Sequence, residues 1–305
     1  MENEIKLLQE KLKENPNDLE TLEAYAIMLS DIGENEEALK HFKFLKNKMP
    51  YSPKVLYNIG IILEKLKYYD DAISAYTQAL SYSPDDTDII FNLAYSYVCV
   101  KEYDEAEPLF LKVLEIDKDD QNSYFHLGEI YSKNKNHEKA IKYLSKAIEL
   151  NPQDAIARFY LSYEYKQIGE IDKAIEGYNS VIECNPDYSW AYYNLANIYL
   201  EKGDEDKAIE YLNATIKTNP QDIGAIKLLA KLYSKSKKFA LAEKLLKQAT
   251  QDFPMEADLF YLTAQIYKCL KSKINYSKYL KYTINKEATF SGDIQEVKDE
   301  LKEIQ

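Results

Sequence analysis

The side chains best suited to chemistry are few and scattered. His41, His126 and His137 share no triad or metal-ligand spacing. The chain has no H-E-x-x-H, G-x-S-x-G, Walker-type phosphate loop or G-x-G-x-x-G, the patterns that gather a metal, a nucleophile or phosphate-cradling backbone at one point. Cys99, Cys184 and Cys269 are odd in number and far apart, with no C-x-x-C pair. That opposes a zinc site or a disulfide framework and points to a reducing compartment. Arg158 is the only arginine, so bidentate forks for phosphate or guanine are missing. Acidic pairs are common, but they fall where solvated helix faces and caps belong. No catalytic residue, metal or cofactor is expected.

Recognition of a polypeptide backbone is better supplied. Aromatics recur at Tyr57, Phe91, Phe125, Phe159, Tyr193 and, after Lys227 interrupts, Tyr261. The residue after the aromatic is Asn58, Asn92, His126, Tyr160 or Asn194 in turn. An asparagine amide can donate to and accept from an extended peptide, and aromatic rings add contact area at low conformational-entropy cost. Tyr95, Tyr163 and Trp190 fall on the same helical face, where an ordinary exposed face would be mostly charged. Two readings of the aromatics stand: contact with a bound peptide, or packing against the next helix. The asparagines likewise suit peptide contact, hydrogen bonding between neighbouring segments, or solvation. Lys227, Lys231 and Lys235 form an i, i+4, i+8 stripe, and Glu20, Glu23 and Asp31 lie near the opposite end of the chain. Such a gradient would orient a peptide with an acidic end; a plain solvated face is the alternative.

The elements that position these residues follow from a repeat. Pro16, Pro50, Pro84, Pro152, Pro186, Pro220 and Pro254 lie on a 34-residue grid, with Lys118 at the one vacant point. Ala38, Ala72, Ala106, Ala140, Ala174, Ala208 and Ala242 keep the same period, as do Tyr97, Tyr131, Tyr165, Tyr199, Tyr233 and Tyr267. Each unit reads as two helices. In unit 53–86, Leu56, Ile59, Gly60 and Leu63 share one face of the first, and Ile73, Tyr76, Ala79 and Leu80 one face of the second. Ser52 or an aspartate (Asp86, Asp120, Asp154, Asp222) stands at the N-cap, and Gly33, Gly169, Gly203 or a lysine at the intervening turn. One such pair cannot bury both apolar stripes, so neighbours must stack. Pro108 is expected close to the start of its helix, since proline is tolerated in a first turn and costly much deeper.

This pattern resembles the tetratricopeptide repeat family. Tyr124-x2-Leu127-Gly128-x2-Tyr131, Ala140, Leu144 and Pro152 form the fullest match, and Tyr192-x2-Leu195-Ala196-x2-Tyr199, Ala208, Leu212 and Pro220 another. The family's leading tryptophan is replaced throughout, and Tyr276 stands where the last unit needs a small alanine, so that pair is expected to splay. The resemblance implies an all-α solenoid, a right-handed superhelix of antiparallel helix pairs with a concave groove lined by the first helices. Residues 1–18 then form an N-terminal capping helix, 19–256 seven units, 257–290 a degenerate eighth, and 291–305 a C-terminal capping helix with Asp293 and Glu296 as a capping box.

The partly repeated Asn58, Asn92 and Asn194 look like the asparagine ladder of O-linked N-acetylglucosamine transferase repeats. The carboxylate clamp of chaperone-adaptor repeats is not matched, since Tyr57-Asn58 lacks the leading lysine. The expected function is a non-enzymatic scaffold holding an extended segment of a protein partner, with Asn58, Asn92, Phe125, His126, Tyr160, Tyr163, Tyr193, Asn194, Lys227 and Lys231 as groove contacts. The competing readings are a self-associating spacer, which makes a homo-oligomer, and a substrate-recruiting companion of a separate glycosyltransferase. Lys plus Arg is 39 against 51 Asp plus Glu, a net charge of −12, which opposes a general nucleic-acid or anionic-membrane role. With no apolar leader or membrane-length run, a cytoplasmic location is expected.

Overall fold

The structure is a computed structural model that describes residues 2–304, and the ordered elements among them are all helical. They form two compact units. The first, through Ile168, holds α1 (Glu2–Glu14), α2 (Leu19–Asp31), α3 (Asn35–Lys48), α4 (Pro53–Lys65), α5 (Tyr69–Tyr82), α6 (Thr87–Cys99), α7 (Tyr103–Ile116), α8 (Gln121–Lys133), α9 (His137–Leu150) and α10 (Ala155–Gln167). The second, from Gly169, holds α11 (Ile171–Cys184), α12 (Ser189–Glu201), α13 (Glu205–Thr218), α14 (Ile223–Lys235), α15 (Phe239–Asp252), α16 (Ala257–Cys269), α17 (Lys273–Ile284), a 3₁₀ turn (Glu287–Thr289) and α18 (Ile294–Ile304). No helix among the described residues is long and apolar enough to cross a membrane.

The helix starts follow from side-chain caps. Asp86 Oδ1 accepts from the Asp88 and Ile89 amides, and Asp120, Asp154 and Asp222 cap α8, α10 and α14 in the same way. Between paired helices the chain reverses in two hydrogen bonds. After α4, the Lys67 amide donates to the Glu64 carbonyl and the Tyr68 amide to the Leu63 carbonyl, both at 2.8 Å. This closure needs a left-handed residue. Gly33 and Gly203 supply it, and Gly169 shares their positive φ, but elsewhere Lys67, Lys101, Lys135, Lys237 and Lys271 are held at φ between 56° and 67°. Pro108 sits near the start of α7, at its sixth residue and just past the first turn; α7 continues through it at the loss of one backbone hydrogen bond. Of the expected capping box before α18, the described bond is from the Gln295 amide to Asp293 Oδ1.

The core of each pair is set by the small residue early in the second helix. Ala38, Ala72, Ala106, Ala140, Ala174, Ala208 and Ala242 are fully buried. At Gly60 the approach is closer still, because a Cβ would fall on the ring of buried Tyr76. The last pair does not splay. Tyr276 occupies the alanine position yet is only 7% exposed, and its hydroxyl donates to Glu300 Oε2 on α18 at 2.9 Å. The ring is absorbed because α18 lays Val297 and Leu301 over this end of the core.

Between pairs, two polar ties repeat with their ends exchanged. Ser96 Oγ on α6 donates to Glu64 Oε1 on α4 at 2.6 Å, and the Tyr76 hydroxyl donates to Glu64 Oε2 at 3.0 Å. Further along, Ser132 on α8 donates to Glu164 on α10 at 2.5 Å. Serine and glutamate have traded places in an i, i+32 relation. Burial pushes the Glu64 carboxyl above the usual carboxylate range, even though both hydrogen bonds pull it down. With the folded value raised, the contribution of Glu64 to stability is full below the unfolded carboxylate range and is lost as pH rises through the folded value. Glu64→Gln cannot titrate, so the gap between its urea midpoint and that of the wild type is expected to widen in favour of the variant from pH 4 to pH 7; a constant gap would show that Glu64 does not titrate in this way. Lys101→Gly and Lys135→Gly should each raise the unfolding free energy by about 0.5–1 kcal/mol, read as a higher urea midpoint at unchanged slope.

Candidate peptide-binding faces

In the first unit two of the recurring aromatics, Tyr57 and Phe91, lean on the second helix of their own pair. The Tyr57 ring lies 5.9 Å from that of Tyr76, and Phe91 lies 5.5 Å from Phe110 in an edge-to-face arrangement. His126 packs into the same layer. Its ring stacks on Phe110 at 5.3 Å and 17° and lies within 6 Å of Phe91, Tyr95 and Phe125. Only 14% of its side chain is exposed, and Nδ1 is 3.4 Å from Glu129 Oε2. Phe125 in turn meets Tyr160 edge-on at 5.7 Å. These rings space neighbouring first helices as well as forming a surface. Tyr95 and Tyr163, two units apart at one repeat position, are the more exposed aromatics of this face. Burial and the neighbouring Cys99 thiol push the Tyr95 hydroxyl up to about 12, and burial raises the Cys99 thiol as well, so both stay protonated at neutral pH.

The asparagines are anchored to their own helices. Asn58 Nδ2 donates to the Lys54 carbonyl, Asn92 Nδ2 to the Asp88 carbonyl and Asn194 Nδ2 to the Trp190 carbonyl, each at 2.8 Å. Asn92 Nδ2 also donates to the Tyr57 hydroxyl at 3.1 Å, so both of its N–H groups are engaged. This fixes the amide orientation, because a backbone carbonyl can only accept. The Oδ1 atom is then the acceptor end that each amide has left to offer.

A buried constellation went unread in the sequence. Glu164 is completely buried, with Ser132 Oγ on one oxygen and His137 Nδ1 at 2.7 Å on the other. Serine, histidine and carboxylate are together, but the carboxylate stands between the other two, so the histidine does not contact the serine hydroxyl as a serine–histidine nucleophile pair requires. The arrangement is a structural tie. Its signal lay in the register: Glu164 occupies the position of Ile62, Ile130, Ile198 and Ile266, where a charge needs a buried partner.

In the second unit, Trp190, Tyr193 and Asn194 lie on α12, with Trp190 58% exposed and edge-on to Tyr193. The three lysines of α14 divide. Lys227 Nζ is 2.8 Å from Asp258 Oδ2 on α16, and Lys235 pairs with Glu205 on α13. Lys231 has no carboxylate within ion-pair distance among the described residues, and it is exposed at the rim of a cavity of about 290 Å³. Ala230, Leu246, Leu262 and Ile266 make the cavity's apolar lining, with Ser234 and Gln265 as neutral polar groups. The sequence thus overstated the basic stripe, because Lys227 and Lys235 are spent on structure. Asp258 is a further hub, accepting from the Ser291 amide at 2.9 Å and from its hydroxyl. Burial alone would raise the Asp258 carboxyl, but the bonds from Lys227 and Ser291 overcome it and hold the group below the usual range. Its contribution is therefore present above the unfolded aspartate value and is lost as pH falls through the lower folded one. Lys227→Ala should cost roughly 1–3 kcal/mol by leaving Asp258 short of a partner, read by thermal denaturation at neutral pH, with the deficit shrinking on acidification.

Models of the tetratricopeptide repeat match residues 65–127, 122–154, 178–210 and 206–266, together more than half of the chain. No curated protein matches it. Among solved structures, that of MamA is 28% identical, covering 53% of this chain and 95% of its own, with a TM-score of 0.51. YrrB, described as a TPR protein with an unusual peptide-binding site, is 25% identical over 61% of this chain and 95% of its own, with a TM-score of 0.52. A tetratricopeptide repeat protein from Parabacteroides merdae is 20% identical over 94% of this chain and 98% of its own, with a TM-score of 0.59, a likeness of fold.

Proposed function

Because the chain belongs to the tetratricopeptide repeat family, we propose that it is a non-catalytic protein-interaction scaffold whose first-helix faces hold an extended segment of a partner. The observation that carries this reading is the rim of the α14–α16 cavity. Among the described residues Lys231 has no counter-ion, and it stands beside an apolar recess sized for one bulky side chain, while Lys227 and Lys235 on the same stripe are neutralised. An unpaired cation beside an apolar recess suits a segment with an aliphatic or aromatic residue next to an acidic one. On α12, Trp190 and Tyr193 offer flat apolar area and Asn194 an outward amide oxygen for a peptide N–H. Asn58, Asn92, Phe125, His126, Tyr160 and Tyr163 give the first unit a comparable, more aromatic face, with His126 acting mainly through the rings it supports.

Selection from a displayed peptide library on the purified chain tests the reading. The expected consensus pairs an acidic residue with a bulky apolar one. Binding, followed by the fluorescence of Trp190, the sole tryptophan, should weaken about tenfold or more in Asn194→Ala with Lys231→Glu, a double variant confirmed as folded by circular dichroism. Selected peptides that bind wild type and variant alike would move recognition off this face and overturn the assignment.

A further inference from the structure

The net charge of −12 conceals a strongly basic stretch. Between Ile223 and Lys286 there are 13 lysines and 4 acidic residues, a local net charge of +9, which leaves −21 on the rest of the chain. From Leu259 to Lys286 there is no acidic residue at all. The outer face of α17 is the centre of this stretch. Its inner face buries Tyr276, Leu280 and Thr283. Its outer face presents Ile274, Lys278, Lys281 and Tyr282 at i, i+4, i+7 and i+8, around a shallow depression of about 490 Å³. Ile274 is 84% exposed, and Leu270, just before the helix, is exposed too. Lys271, Lys273, Lys278 and Lys281 have no carboxylate partner among the described residues, and Lys278 and Lys286 lie over the Tyr282 ring at 5.7 and 5.9 Å.

The repeat itself shows that this face is not a structural requirement. At the position of Ile274, six of the seven preceding second helices carry an acid in their first turn, namely Glu36, Asp70, Asp104, Glu138, Asp172 and Asp206. An acid there is favoured by the helix dipole. α17 has no first-turn acid and no side-chain cap, and it exposes an isoleucine instead. The substitution gives up local stabilisation for exposed hydrocarbon ringed by cations.

We propose that the outer face of α17 docks on an anionic lipid bilayer surface, with Ile274 and Leu270 entering the headgroup boundary and Lys271, Lys273, Lys278 and Lys281 facing the lipid phosphates. Lipid is favoured over other anions by the composition of the face. Protein interfaces are depleted of lysine and enriched in arginine and aromatic anchors. Nucleic-acid surfaces use open aromatic faces or arginine planes for bases, whereas the Tyr282 ring already lies under two lysines. Aliphatic side chains among lysines, with a tyrosine at the edge, match an interfacial helix face. The proposal is independent of the peptide reading, since it concerns the second helix of the last pair and not the first-helix faces.

Co-sedimentation of the full chain with vesicles tests it. The wild type should pellet with vesicles of phosphatidylglycerol and phosphatidylcholine, not with phosphatidylcholine alone, and salt should release it. Lys278→Gln with Lys281→Gln should lower the partition coefficient about 30-fold, and the uncharged change Ile274→Ser about tenfold. Ile274→Asp restores the acid that the other units carry, so it should remain folded by circular dichroism and lose vesicle binding. The proposal is overturned if the wild type fails to pellet with anionic vesicles at low salt, if neutral vesicles retain it equally, or if these variants pellet as wild type does. Binding of polyglutamate or single-stranded RNA without vesicle binding would also overturn it, by giving the face to a different occupant.

Discussion

The methyl group early in each second helix sets the distance between paired helices, and most of the remaining architecture follows from that distance. A fully buried alanine leaves nothing beyond Cβ between the two backbones, so the larger residues on either side interdigitate instead of propping the helices apart. Tyr76 and Phe110 are buried completely because this approach is so close. The recurring first-helix aromatics then find a ring to lean on, as Tyr57 does on Tyr76 and Phe91 on Phe110. Where the alanine is replaced by Tyr276, an extra helix is needed to cover the side chain, and α18 provides it, with Glu300 as the hydrogen-bond acceptor.

Much of this was legible in the sequence because one spacing was written many times. The 34-residue recurrence of proline, alanine and tyrosine marked a helical period, and the aspartates at the caps marked the starts of α6, α8, α10 and α14. The candidate faces were less legible for a physical reason. An aromatic that touches a ligand and one that spaces two helices occupy the same repeat position, so spacing cannot separate them. The amide nitrogens of Asn58, Asn92 and Asn194 are committed to carbonyls one turn back, which residue identity alone does not disclose. Lys227 read as an available cation until its partner, Asp258, was found on the next first helix. Charge summed over the whole chain misled in the same way, since a sum erases the contrast between residues 223–286 and the rest.

Polar groups between pairs hold the array together differently from its apolar core. Hydrocarbon contacts are tolerant, and Leu, Ile and Ala exchange freely among equivalent positions from unit to unit. The carboxylates are not tolerant, because a buried charge needs a specific partner at hydrogen-bond distance. Glu64 has Ser96 and Tyr76, Glu164 has Ser132 and His137, and Asp258 has Lys227 and Ser291.

The exchanged serine–glutamate ties bear on how such a gene can be inherited. Tandem repeats invite unequal recombination, in which whole units are lost or duplicated without breaking the reading frame. Excising residues 87–120 would preserve the helical pattern but bring Ile130 into the place of Ser96 opposite Glu64. Excising residues 121–154 would set Glu164 against Val98 and replace His137 with Tyr103. Each event takes the serine donor from a buried or half-buried carboxylate. The units are therefore keyed to their neighbours, and their order along the chain is itself a heritable property that selection can preserve.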